Sequence, residues 1–219
     1  MNTWSEFSAA LTIFLLSHVI PVRPPVRPWL VLHLGLRGYF WVYSLISVFL
    51  LVWLIVAAGR APYLELIPPL EVFRWGPLIV MPLACLLAVL GLSVANPLSF
   101  GGLGKTPFDP GRPGVLAFTR HPLLLAMILW ALVHLLANGD LAHVILFGLF
   151  ALFPALSMGL IDRRKQREMG PSWQQQARNT ARLSWRGFRP GPWHLTLAAG
   201  LFLTLLALHA PVIGVSPLP

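Results

Sequence analysis

Six runs of mostly apolar residues, each 17 to 21 long, divide this chain, and the charged residues sit in the gaps between them. A helix that crosses the hydrocarbon core of a bilayer needs about 20 such residues, with roughly 17 to 25 tolerated. The runs are Trp4–Ile20, Tyr39–Ala58, Pro77–Ala95, Pro122–Asn138, Leu141–Ile161 and Trp193–Val212. The pattern predicts an all-α, polytopic integral membrane protein with about six transmembrane helices. Only 11% of the residues are charged, against about a quarter in a typical soluble domain. That is too little charge to cover a surface that faces only water. The first run has no Lys or Arg before it and no small-residue cleavage site after it, so it reads as a retained span.

The net charge of +9 could suggest nucleic acid, but its distribution argues for membrane topology and contact with membrane lipid. The first loop carries Arg23, Arg27 and Arg37, and the third Lys105, Arg112 and Arg120. The fifth carries Arg163, Arg164, Lys165, Arg167, Arg178, Arg182, Arg186 and Arg189. Fourteen of the sixteen basic residues therefore lie in odd loops, and only Arg60 and Arg74 elsewhere. The positive-inside rule then places the odd loops in the cytoplasm and both termini on the non-cytoplasmic side, which predicts a multi-pass protein of the cell inner membrane. The fifth loop, 162–189, could lie on the membrane surface or be a solvated basic loop. The chain divides into a five-helix domain with its basic loop, 1–192, and a last helix and tail, 193–219.

Proline marks several boundaries. Pro77 and Pro122 are expected to open their helices, where a missing N–H does no harm. Pro82 and Pro154 lie within apolar runs and predict kinks. Gly139-Asp140 alone separates the fourth and fifth runs and predicts a tight antiparallel turn. Cys85 is the single cysteine, within an apolar run, which excludes disulfides and cysteine metal sites.

Seven histidines remain as candidates for chemistry, because ionisable groups at membrane depth are costly to keep. His18 and His121 fall at similar depth on different helices. That arrangement can hold a b-type haem between two neutral imidazoles. Arg23 and Arg120 would then lie near the propionates, and Tyr39 and Tyr43 would line the pocket. His134 follows His121 on the same helix by thirteen residues, about 20 Å, so the two cannot share one metal ion. Trp130, His134 and Asn138 share one helical face, as do Tyr39, Tyr43 and Ser47. Such stripes serve as pocket linings or as interhelical hydrogen bonds, and the spacing leaves both open. No carboxylate lies deep in a run, which argues against proton-coupled transport.

Several blocks resemble the NnrU family. They are Arg27-Pro-Trp-Leu, Leu34-Gly-Leu-Arg-Gly-Tyr39, Tyr43-Ser-Leu-Ile-Ser47, Ala61-Pro-Tyr63, Asn96-Pro-Leu-Ser99, Thr119-Arg-His-Pro122, the run from Trp130 to Asp140, Phe147-Gly148 and Asp162-Arg-Arg164. Together they cover roughly residues 14–165. The resemblance implies a membrane protein that supports nitrite and nitric oxide metabolism in denitrification. The same family includes the 15-cis-ζ-carotene isomerase, which uses a non-covalent haem b with histidine ligands to isomerise a lipophilic polyene. On that basis His121 would be a ligand with His18 as its partner. Arg120-His121-Pro122 also resembles the membrane isoprenylcysteine and phospholipid methyltransferases, which bind S-adenosylmethionine. Arg120, His121 and Asp162 would then form the site, with Asp162-Arg163 where those enzymes carry a Glu-Glu pair.

Overall fold

The computed structural model describes residues 4–219, and every regular element among them is helical. The α-helices are α1 (Trp4–Val19), α2 (Val26–Arg60), α3 (Glu71–Ser93), α4 (Pro122–Asn138), α5 (Leu141–Met169), α6 (Pro171–Ala177) and α7 (Pro192–Ile213). A short 3-10 turn covers Gly114–Ala117. Four of them, α2, α3, α5 and α7, are long and apolar enough to cross a membrane. α4 is apolar throughout but has 17 residues. The described residues are thus all-helical, with four helices of a membrane-spanning kind.

Four of its helices, α2, α3, α5 and α7, are longer than the apolar runs that announced them. α2 begins at Val26, inside the segment read as the first loop, and carries a non-helical residue at Gly35. α3 begins at Glu71, so Pro77 stands inside the helix and does not open it. The extended Leu70, which follows two prolines, sets the true start, with Glu71 placed favourably in the first turn. α5 runs on to Met169 through its charged end. Hydropathy marks where lipid ends, whereas backbone hydrogen bonding carries a helix past that point into water. Pro122 does stand at the first position of α4, as expected.

The chain forms two compact units. One contains residues up to Leu66 together with Asp140–Leu146. Here α1 packs on α2. Phe7, Ala10 and Phe14 are buried on α1, and Leu50, Leu54, Ala57 and Ala58 on α2. The alanines let backbones approach closely, which is what drives association where lipid already satisfies apolar surface. Tyr39 is buried and donates its hydroxyl to the Pro21 carbonyl at 3.2 Å. The segment before α3 meets the start of α5 through a bridge between Glu65 and Asp140.

The other unit contains Ile67–Gly139 and Phe147–Pro219. α3 packs against both α4 and α7. Its inward face presents Cys85, Leu86 and Leu90 to Val115, Leu116 and Ala198. Cys85 is therefore an apolar packing residue. Gly139 ends α4 in the left-handed conformation (φ 67°), where a Cβ would lie 2.5 Å from the Ile67 carbonyl oxygen. Gly102 does the same for the loop after α3, where a Cβ would approach the Val94 carbonyl to 2.5 Å.

Candidate functional site

Chemistry-bearing residues gather at the two ends of α4. At its N-terminal end the chain after the 3-10 turn is held to the segment before α7. Arg120 N–H donates to the Ala181 carbonyl at 2.7 Å, Ala181 N–H to Leu116 at 3.1 Å, and Ser184 N–H to Phe118 at 2.8 Å. Thr119 Oγ1 donates to the Arg182 carbonyl at 2.9 Å and accepts from the His121 N–H at 3.1 Å. Asn96 holds the preceding loop by donating to the Arg120 carbonyl at 2.9 Å.

Asp162, from the charged end of α5, sits at the centre of this cluster and is 1% exposed. Arg120 grips its carboxylate with two donors, Nε at 3.2 Å to Oδ1 and Nη2 at 2.9 Å to Oδ2. Arg182 Nε adds a third at 3.1 Å. His121 supplies the fourth through Nε2 at 3.2 Å. A buried carboxylate needs this much compensation, because an unpaired one is very costly in low dielectric. The guanidinium of Arg120 also lies over the ring of Trp173, 5.7 Å from its centroid.

The carboxylate fixes the tautomer of His121. Asp162 can only accept, so Nε2 carries the proton, and Nδ1 accepts from the Ser99 hydroxyl at 2.9 Å. Burial lowers the pKa of His121 below the usual histidine value. The carboxylate of Asp162 pulls it upward, and Arg120 and Arg182 offset part of that pull. The order Ser99, His121, Asp162 repeats the donor order of a hydrolytic triad. All three are buried, however, and two guanidiniums already hold the aspartate charge. The cluster works as a tie between three chain segments. It also leaves no uncompensated carboxylate for a sulfonium cation, so Arg120, His121 and Asp162 meet as the methyltransferase resemblance requires but without the charge that binding needs.

The other end of α4 is built differently. His134 donates Nδ1–H to the Trp130 carbonyl at 2.7 Å. His209, near the end of α7, donates Nδ1–H to the Val215 carbonyl at 2.8 Å. The two rings face each other with centroids 6.5 Å apart and planes 26° apart. A carbonyl accepts only, so Nδ1 carries a proton in each ring, and Nε2 is the nitrogen that the neutral form leaves with a lone pair. Trp130 and Phe147 approach His134 to 5.5 and 5.4 Å between ring centroids, and Phe150 stacks on Trp130. Asn138 donates to the His134 carbonyl at 2.6 Å, which closes the Trp130–His134–Asn138 stripe as a hydrogen-bonded chain along α4.

In the other unit His18 uses the same device, with Nδ1 2.8 Å from the Phe14 carbonyl. Tyr43 meets the ring of His18 edge-on at 5.9 Å and stacks on Tyr39, over which Arg27 lies. His18, Tyr39 and Tyr43 are thus brought together as expected, with Arg27 as the cation on Tyr39. Arg120 and His121 are brought together with Asp162.

Haem b can be tested against these donor sets. At His121 both nitrogens are spent and the ring is 1% exposed, so it does not fit as an axial ligand. At His134 and His209 the donor set is less occupied: each ring has Nδ1 on a backbone carbonyl and no hydrogen bond at Nε2 among the described residues, and the ring centroids lie 6.5 Å apart. Ligating histidines commonly donate their other ring N–H to a carbonyl, as both do here. Among the described residues no three His, Cys, Asp or Glu side chains gather as a metal site, so a bare ion has no fuller cage.

Sequence reasoning singled out Arg120, His121 and Asp162 but missed the residues that complete the cluster. Asn96 and Ser99 were visible as part of a family block. Arg182 was one of eight cations in a long loop, and nothing in its sequence context distinguishes it. His209 gave no signal, because its role depends on where α7 packs.

No curated protein and no solved structure matches the chain. The sequence model of the family described as NnrU protein matches residues 6–217 of 219, and so extends past both ends of the blocks that carry the resemblance. The chain belongs to the NnrU family.

Proposed function

We propose that this NnrU-family protein holds a non-covalent haem b in the cytoplasmic membrane and supports nitrite and nitric oxide metabolism. The observation that carries the proposal is the pair His134–His209, each with Nδ1 tied to a carbonyl and the rings 6.5 Å apart. Both residues lie near the C-terminal ends of their helices, α4 and α7. With six spans and both termini outside, as the basic bias supports, the pair faces the non-cytoplasmic leaflet. A bound haem supplies redox chemistry at an iron whose axial ligands set its potential. The chain's part is to hold both lone pairs in place and to exclude water. Trp130, Phe147 and Phe150 make an apolar wall beside His134. The same wall would accept a lipophilic polyene, which makes cis–trans isomerisation the second activity to assay.

The test is a pyridine haemochrome assay with oxidised and reduced spectra, on protein purified in mild detergent from a haem-supplemented host. We expect a b-type spectrum near one haem per chain, lost in both His134→Ala and His209→Ala and kept in His121→Ala. Full haem loading in folded His134→Ala and His209→Ala proteins would overturn this assignment. Loss of nitrite and nitric oxide reduction in a strain lacking the gene, restored by wild type but not by His134→Ala, is the expected cellular result.

A further inference from the structure

The basic end of α5 treats its four cations in two ways. Arg164 and Lys165 share Glu168, at 3.3 and 3.5 Å. Arg163 and Arg167, one turn apart on another face, have no ion pair among the described residues. Two like charges at i and i+4 repel each other and weaken a helix slightly. Here they line an open cleft with Leu160 and Gln166. A cleft with two uncompensated guanidiniums and an amide is complementary to an anion with several oxygen acceptors, and phosphate suits Arg especially well.

The same helical face continues downward as hydrocarbon. Leu152, Leu156 and Leu160 follow at four-residue intervals and are 51%, 56% and 61% exposed. Arg163 and Arg167 extend that stripe by a further three and four residues. The stripe thus passes from leucine to arginine where the apolar run of α5 ends at Ile161. The sequence of surfaces matches a phospholipid, with acyl chain against leucine and headgroup phosphate against arginine. The arginines alone would suit a free anion; the exposed leucines in line with them put acyl chains beside that headgroup position.

We propose that this face of α5 is a binding site for one anionic phospholipid, its phosphate held between Arg163 and Arg167 and one acyl chain lying along Leu152, Leu156 and Leu160. The site is independent of the haem assignment and uses none of its residues.

The experiment compares retention of phosphatidylglycerol and of phosphatidylcholine with the same acyl chains, by native mass spectrometry of the whole chain released from mixed-lipid nanodiscs. The wild type is expected to keep one phosphatidylglycerol in preference to phosphatidylcholine, and Arg163→Gln/Arg167→Gln to lose about tenfold or more of that preference. Arg164→Gln/Lys165→Gln removes the same charge from the paired face and is expected to keep it. Leu156→Ser with both arginines intact should weaken retention of either lipid. Equal losses in the two double variants would overturn the site in favour of general attraction between basic loop and lipid. Displacement of phosphatidylglycerol from the wild type by millimolar inorganic phosphate would overturn it in favour of a free anion. Arg163 and Arg167 are exposed and unbonded, so their variants should fold, and an unchanged thermal transition confirms this for each preparation.

Discussion

At the start of α4, His121 spends both ring nitrogens, one on Asp162 and one on Ser99. Thirteen residues on, His134 spends one, on a backbone carbonyl, and turns toward a second histidine that does the same. Both histidines lie against apolar side chains. Only the second keeps a lone pair that the protein has not used. Burial alone therefore does not separate a structural histidine from one available to a ligand. The hydrogen-bond account does, because a saturated ring has nothing left to offer.

The contrast between these two ends is most sensitive to a change at Asp162. In Asp162→Ala, Arg120 and His121 lose their shared acceptor in a buried place. We expect a loss of about 3–5 kcal/mol, since removing one partner of a buried pair strands the other charge. A thermal scan should show a larger drop than any other single substitution at either end of α4, while the protein that remains folded still loads haem. A smaller effect follows for His121→Ala, which leaves the Ser99 hydroxyl and an oxygen of Asp162 short of a partner. About 2 kcal/mol is expected from the unsatisfied groups, with haem stoichiometry unchanged. Haem loss in this variant without a stability change would reverse the roles of the two ends.

The gentlest probe is pH. Burial holds the folded-state pKa of His121 below its unfolded value of about 6.5. The unfolded chain then binds a proton that the native ring refuses, so stability falls as pH drops through 6.5 toward the lower folded value. Thermal transitions measured from pH 7.5 to 5 should move downward in the wild type. His121→Ala should move less over the same range, because the other charged groups of the cluster remain and the histidine contribution is gone.

Much of the fold was legible because hydropathy reports lipid contact directly. The apolar runs and the Gly139 turn all reappear in the helices. What hydropathy could not show was the part of each helix that leaves lipid. Arg27 and Arg37 made the first turns of α2 look like a loop, and Pro77 looked like the start of α3 because proline so often stands there. At the site, Asp162 could be noticed as a carboxylate beside the end of a run, whereas Arg182 could not be picked from its neighbours. Its role comes from the pairing of residues 116–120 with 181–184, a long-range contact without periodicity. The partner of His134 was hidden for a similar reason, since α4 and α7 meet through the packing of both on α3.

The break in α2 at Gly35 bears on bilayer thickness. An unbroken helix of 35 residues would be about 52 Å long at 1.5 Å per residue, against a hydrocarbon core of about 30 Å. Such a rod would have to tilt steeply or push its arginines into the acyl region. Gly35, at φ 68° and ψ 163°, divides it into a short segment carrying Arg27 and His33 and a span of 25 residues, 36–60. The span alone is about 37 Å, a length that modest tilt accommodates. A side chain at position 35 would meet no neighbour within 4 Å, so its cost lies in the backbone angle alone. An alanine there that restored the straight helix would carry Arg27 away from the Tyr39 ring and give the bilayer a rod too long for its own thickness.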